Sequence, residues 1–320
     1  MAKTLREKHD EQALNHELAS EAFVSAELRK AISSVARQAT KAYVQAAGRI
    51  TQPLPLSGRI QFVNTVIALL RALNPNVKSR LMKRVKDAMR IGAQQAQESI
   101  GRKVTVNPRP NRALTKEINA VDKKAKEDID AAIKFLKLKG KRVTYRDLTK
   151  AIAMATSSAE RVDRATRWAT NKGVNDGVAV VATAIGASRL WVAEVDACLH
   201  CLAYAGEVAK PGKPFKGGLT FADKPLSLEP VDGPPLHPNC RCRTQPWLGT
   251  KTGGGPGDQP DSLKREAQRI VLKGWSAHSS EKARLRAADR LIRHAPNLPK
   301  SVIKRARQDV SLGKFSSRIP

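Results

Sequence analysis

Acidic residues are scarce in this chain. In 320 residues, 29 Asp and Glu stand against 58 Lys and Arg, a formal net charge of +29. So unbalanced a chain repels itself unless a polyanion is near. Nucleic acid is the simplest partner, since each phosphate neutralised releases condensed counterions. An anionic membrane face or an acidic protein shell meets the same need. An unusually soluble basic protein is the competing reading. Aromatic residues are also few, at 4%, which excludes one thick aromatic core and points to small helical packing units. Long apolar runs are missing. The longest, Val178 to Ala187, is too short to cross a bilayer. Met1 to Asp10 has no apolar stretch of the signal-peptide kind. The expectation is a chain made and used, or assembled, in a cytoplasm, with no membrane span. Cysteine is absent everywhere except residues 198–242, where all four lie. In a reducing compartment such clustering favours metal or packing over disulfides.

What is present reads mostly as helix. Residues 12–50 are rich in Ala, Glu, Gln and Lys, and Pro53 and Pro55 interrupt them. A helical stripe follows at Ile60, Val63, Ile67, Leu70 and Leu73, stopped by Asn74-Pro75-Asn76. A second stripe, Leu81, Val85, Ala88 and Met89, carries a basic opposite face at Lys83, Arg84, Lys86 and Arg90. Residues 101–112 read as a linker. A third stripe runs Leu114, Ile118, Val121, Ala125, Ile129, Ile133, Leu136 and ends near Gly140. Thr144 and Asp147 cap a short helix from Tyr145, and Ser157 with Glu160 opens a longer one to about Ala187. Each stripe is read as ordinary core packing.

At Arg189 the texture changes. Leu190 to Val195 reads as a strand. Residues 203–236 are rich in Gly and Pro and read as loops and short strands. Gly249 to Pro260 has the composition of a flexible linker. Residues 261–320 hold 15 Lys and Arg against 5 Asp and Glu, with weak helical periodicity. The fold class is therefore α+β and mostly α-helical: long N-terminal helices, a small mixed Cys/His-stapled module at 188–248, and a basic helical C-terminal tail. The segments are 1–110, 111–187, the module, the linker 249–260, and the tail 261–320.

The cysteines carry the clearest chemistry. Cys198-Leu199-His200-Cys201 is a C-x-x-C knuckle, whose spacing lets two thiolates reach one tetrahedral ion. His237-Pro238-Asn239-Cys240-Arg241-Cys242 offers more donors than the remaining two places need. A structural zinc site would take Cys198, Cys201, Cys240 and either Cys242 or His237. Reduced cysteines packed in a small core, or a disulfide, are the competing readings. The 38 residues between Cys201 and Cys240 exceed the usual zinc-finger gap. No H-E-x-x-H or H-x-E motif accompanies the cluster, so an open catalytic metal is not expected. Gly206 to Lys213 imitates a P-loop, but Pro214 stands where Ser or Thr must hold magnesium. In the tail, Arg284, Arg286, Arg290 and Arg293 recur around one helix, and Lys300, Lys304, Arg305 and Arg307 follow. Such spacing can line phosphates without reading bases.

Asp196, Cys198-x-x-Cys201, Gly206, Phe215 and Pro234-Pro235-Leu236-His237-Pro238-Asn239-Cys240-Arg241-Cys242 together resemble the signature of the phage Mu F-like minor head protein family. The resemblance covers about residues 150–248. It includes the preceding helix, where Arg164, Arg167, Asn175 and Gly177 take the family's places. It implies a few-copy, non-enzymatic structural protein of a tailed phage, acting in head morphogenesis. Its partners would be the portal protein, the capsid interior and packaged double-stranded DNA. Its place would be the virion head interior, after assembly in the host cytoplasm. The chain departs from the pattern at the Lys- and Pro-rich loop 210–231. It also reads Arg167-Trp168-Ala169-Thr170 where many members carry Arg-Thr-Glu, which puts the role of that acidic residue in doubt. The tail after Gly257 lies outside the resemblance. Two alternatives stand beside it: an enzyme fused to a head module, as a zinc-dependent nuclease or head maturation protease, and a DNA-binding regulator. Residues 1–150 show no acid/base constellation for the first. No reading helix with a dimer element stands out for the second.

Overall fold

The computed structural model describes residues 4–73, 76–249, 259–277, 279–294 and 298–316. Nearly all of the regular structure is helical, with one three-stranded sheet. The chain divides into two compact units. One comprises residues 14–85 and 110–170, the other residues 1–13, 86–109 and 171–320. The five segments expected from the sequence are therefore not the units of packing.

The first of these units is a helical bundle. It uses most of α1 (Leu5–Ala47), α2 (Leu56–Arg71), the start of α3 (Val77–Ile100), α4 (Arg112–Lys139), a 3-10 turn Gly140–Arg142, and most of α5 (Tyr145–Ala184). α1 begins earlier than the composition suggests. Thr4 and Glu7 form a reciprocal capping box, Thr4 N–H to Glu7 Oε2 at 2.7 Å and Glu7 N–H to Thr4 Oγ1 at 3.2 Å. The T-x-x-E signal was legible in the sequence. The buried face of α2 is Phe62, Val63, Val66, Ile67 and Leu70. Ile60, counted in the expected stripe, is exposed. α4 buries Leu114, Ile118, Ala125, Ile129, Ile133 and Leu136 of the third stripe and leaves Val121 half-buried, and Asn111 caps its start by accepting from Leu114 N–H at 2.8 Å. Thr144 and Asp147 form the expected capping box of α5.

Ser157 and Glu160 do not open a new helix. α5 continues through them, and the Ser157 hydroxyl donates back to the Ala153 carbonyl at 3.2 Å. A serine whose upstream neighbours are already helical makes this i−4 bond instead of capping.

In the second unit α3 and α5 come unusually close. A Cβ added at Gly177 would lie 2.1 Å from the Met89 carbonyl oxygen, and one at Gly92 would lie 1.9 Å from that of Val174. Only hydrogen fits at either place, so these two glycines set the helix spacing. Gly177→Ala is expected to destabilise this unit by about 3 kcal/mol, read as a lowered urea midpoint. Gly58→Ala, where an added Cβ meets nothing, should be neutral or slightly stabilising.

The sheet is antiparallel with order β2-β1-β3. β1 is Ser188–Val192, β2 is Val208–Ala209 and β3 is Arg243–Trp247. β1 is shorter at its end than the expected Leu190–Val195, because its last partner pair is Val192 with Arg243. Beyond that pair the chain turns, with Ala197 N–H donating to the Glu194 carbonyl at 3.1 Å. The short helix α6 (Leu199–Tyr204) follows.

α7 (Pro260–Leu272), α8 (Glu281–His294) and α9 (Lys300–Leu312) make up the region expected to be a separate tail. They are not separate. Ala267, Ile270, Val271, Leu272, Ala287, Ala288, Leu291, Leu298 and Ala306 share one core with Trp191, Leu199, Leu202, Tyr204 and Phe215. Polar links join the same surfaces: Ser276 Oγ donates to the Ala197 carbonyl at 3.0 Å, and Ala277 N–H to that of Asp196 at 3.0 Å. Gly206 has φ +77°, and a Cβ there would sit 2.1 Å from the Pro260 carbonyl oxygen. The weak periodicity at Leu263, Ile270 and Leu272 is the buried face of α7. Its partner is the cysteine module. Most of the linker expected at 249–260 lies outside the described residues.

Candidate metal centre

The sheet delivers both halves of the cysteine pattern to one place. After β1, the turn at Val195-Asp196 hands Cys198 to the residue before α6, and Cys201 follows one helical turn on. Cys242 directly precedes β3, whose first residue pairs with the last of β1. Between them, Cys240 N–H donates to the His237 carbonyl at 3.0 Å, a tight turn that folds the imidazole back toward the thiols.

The five expected ligand residues form one cluster. His237 Nε2 lies 3.1 Å from Cys198 Sγ and 3.3 Å from Cys201 Sγ, and Cys201 Sγ lies 3.5 Å from Cys240 Sγ. They resolve into two overlapping groups, Cys198–Cys201–His237 and Cys201–Cys240–Cys242, with Cys201 common to both. All four cysteines are buried free thiols. Crowding and burial set their ionisation. Cys201, which donates to it, holds the Cys198 thiol down at about 4, against the opposing effect of burial and with help from His237. Cys201 itself is pushed up by Cys198, Cys240 and Cys242 and by burial. Cys240 is pulled down by Cys201 and Cys242. His237 is raised by Cys198, against burial.

This cluster can hold a metal ion. Bond lengths of about 2.3 Å to sulfur and 2.0 Å to nitrogen put tetrahedral neighbours about 3.5–3.8 Å apart. The observed 3.1–3.5 Å separations are within a few tenths of an ångström of that. Four soft sulfurs and one imidazole suit zinc better than a hard cation. His200 is not part of the cluster; its Nδ1 pairs with Thr220 Oγ1 at 2.9 Å.

A second layer holds the ligands, and the sequence reading missed most of it. Arg241, between Cys240 and Cys242, donates from Nη2 to both carboxylate oxygens of Asp196 at 2.8 and 2.7 Å. The Asp before the knuckle and the Arg within C-R-C are thus partners that clamp the two halves. Asn171 and Asn175, one turn apart on α5, reach the same segment. Asn171 Nδ2 donates to the Cys240 carbonyl, and Asn175 Oδ1 accepts from Thr244 N–H at 2.7 Å. Both amides are buried, so each unmade bond would cost about 1–3 kcal/mol. The Asn-x-x-x-Asn spacing on a helix was the available signal. Beneath the cluster, Trp191 is fully buried, with Tyr204 and Phe215 rings 4.8 and 5.2 Å away. Arg189 lies over Phe215 and donates to the Lys213 carbonyl at 2.7 Å, pinning the departing loop.

The eight tail cations expected to meet nucleic acid are placed differently from one another. Arg284 is half-buried and donates to the Gly274 carbonyl. Arg286 and Arg290 both grip Asp223, at 2.6 and 2.5 Å. Arg293 pairs with Asp289, and Arg305 donates to Ser316 Oγ. Lys300, Lys304 and Arg307 are exposed on α9. Arg286 and Arg290 therefore tie α8 to the loop of the module, Arg284 ties it to the end of α7, and Arg293 stays within α8. In the other unit, Arg167 finds its carboxylate on α1. Its Nε and Nη2 each donate to Glu21 at 2.8 Å, and Arg167 holds the Glu21 carboxyl below its ordinary range.

Comparison of the chain with protein-family models, with curated proteins and with solved structures returned no significant match.

Proposed function

We propose that this chain is a structural minor head protein of a tailed phage. It acts in head morphogenesis near the portal, lies in the head interior, and contacts packaged double-stranded DNA without reading its sequence. The proposed metal is a structural zinc ion, held by four of Cys198, Cys201, His237, Cys240 and Cys242. One observation carries the reading: the residues of the resembling motif interlock. Asp196 pairs with Arg241, and the four cysteines and His237 converge. That the motif's residues fold into one unit supports reading them together. The charge of +29 suits confinement with DNA. Zinc in such a site supplies a crosslink between the two halves of the module, and no chemistry is assigned to it beyond that. The test is the content of purified particles. Mass spectrometry should find this chain at a few copies per head, protected from added protease until the head is opened. Heads that hold portal and coat proteins but lack the chain would sink the assignment.

A further inference from the structure

The tail was the expected DNA surface, yet much of its positive charge is engaged within the protein. A denser and freer basic surface lies in the helical bundle. From Lys134 to Lys150 the chain carries Lys134, Lys137, Lys139, Lys141, Arg142, Arg146 and Lys150, with Asp147 as the only acid. These residues occupy the end of α4, the 3-10 turn and the start of α5. Asp147 is already committed, accepting from Thr144 Oγ1 at 2.8 Å and pairing with Lys139 at 3.0 Å. Lys139 and Lys150 flank the Phe135 ring at 5.4 and 5.1 Å and tie α4 to α5. That leaves Lys134, Lys137, Lys141, Arg142 and Arg146, all exposed. Among the described residues none of these five makes an ion pair.

The α4 dipole favours Lys137 in its last turn, but other placements in the corner are unfavourable. Lys134 and Lys137 are like charges three apart on α4, and Arg146 and Lys150 four apart on α5, spacings at which like charges repel. Arg146 also sits in the first turn of α5, where the helix dipole disfavours a cation. Arg59, in the first turn of α2, adds a further cation there. Its Nη1 donates to the Lys141 carbonyl at 2.8 Å, so it braces the turn that presents Lys141 and Arg142. α2 has no acidic residue in its first turn and no side-chain cap. A bound polyanion relieves all of these repulsions at once.

We propose that this corner docks on the phosphate backbone of double-stranded DNA, with Lys134, Lys137, Lys141, Arg142 and Arg146 as the contacts. Within the run only Leu138 is an exposed large apolar side chain, at 87%. A bilayer surface would ask for a broader apolar face beside the charge. Contacts of exposed Lys and Arg to phosphates carry no sequence information, so the proposed binding is sequence-independent. The proposal rests on the polyanion partner of the proposed function but not on the head-protein assignment, which particle content tests separately.

The experiment uses the full chain and a fluorescent DNA duplex, with binding measured by anisotropy over a range of salt. Three triple variants are compared: Lys141→Gln/Arg142→Gln/Arg146→Gln in the corner, Lys300→Gln/Lys304→Gln/Arg307→Gln on α9, and the scattered Lys30→Gln/Lys103→Gln/Lys210→Gln. Thermal melting checks that each folds. The corner triple should lower the slope of log K against log salt by about 2–3, and the other two by clearly less. An unchanged slope in the corner triple overturns the proposal. So does an equal drop in the scattered triple, which would mean that net charge alone governs binding. Binding of the wild-type chain to vesicles of anionic lipid but not to the duplex would overturn it as well.

Discussion

Cys201→Ser is expected to abolish metal binding and unfold the cysteine module, while the helical bundle of residues 14–85 and 110–170 keeps its structure. Cys201 is the residue to change because it belongs to both ligand groups, 3.3 Å from His237 and 3.5 Å from Cys240. Cys198 or Cys242 can be lost from one group while the other stays whole. Cys201 is also 1% exposed, so no solvent can substitute for it. Because structural zinc binding is folding free energy in small modules, the loss should be about 4 kcal/mol or more, the range that marks a broken metal site. The measurement is metal content of protein purified under reducing conditions, with chemical denaturation alongside. The wild-type chain should approach one zinc per chain and the variant none. His200→Ala, outside the cluster, should retain the metal. A metal-free wild-type chain that melts identically with and without chelator would remove zinc from the account. The cluster would then be reduced cysteines packed in a core.

Ending the chain at residue 249 should be equally severe, for a different reason. If α7–α9 were a loose basic tail, the truncation would cost only DNA affinity. The structure predicts collapse of the module. Ile270, Val271, Leu272 and Leu291 are buried in the core that also holds Trp191, Leu199, Leu202 and Tyr204. Burial of each such side chain is worth about 1.5–3 kcal/mol, so these four alone approach the whole stability of an ordinary domain. Limited proteolysis should cut the truncated chain within residues 188–248 and spare the bundle. Amide exchange at Leu199 and Leu202 should become fast. Ile270→Ala in the full chain is the milder test, at about 2–5 kcal/mol. An intact, protease-resistant module in the truncated chain would show that the shared core contributes little. Tail deletion is for the same reason a poor probe of DNA binding, and charge substitution on exposed side chains is the better one.

Much of the architecture was legible residue by residue. Of the stripe Leu114, Ile118, Val121, Ala125, Ile129, Ile133 and Leu136, all but the half-buried Val121 are buried, because a period near 3.6 places those side chains on one face whatever they pack against. Capping at Thr144 and Asp147 was legible because the bonds are local. Ser157 and Glu160 misled for a related reason. A capping box competes with continuation of the helix, and the alanines before it let α5 run on. Ile60 was miscounted because a short stripe can be drawn through either Ile60 or Phe62, and only the neighbours of α2 decide between them.

The cysteine pattern by itself determined which residues gather. Two thiols one helical turn apart, and a His and two Cys within six residues, are constrained by chain geometry to lie near one another. What they gather around required the sheet. The pairing of Val192 with Arg243 brings together halves separated by 38 residues. Tertiary structure alone decided the rest. It paired Asp196 with Arg241, supplied Glu21 to Arg167, matched Gly92 and Gly177 to opposing carbonyls, and folded α7–α9 onto the module. Each of these is a meeting of residues tens or hundreds of positions apart, set by shape and burial and not by any local period. The same holds for charge. Composition determined the excess of positive charge, but only the folded structure shows, among the described residues, which cations are engaged in ion pairs and which are not.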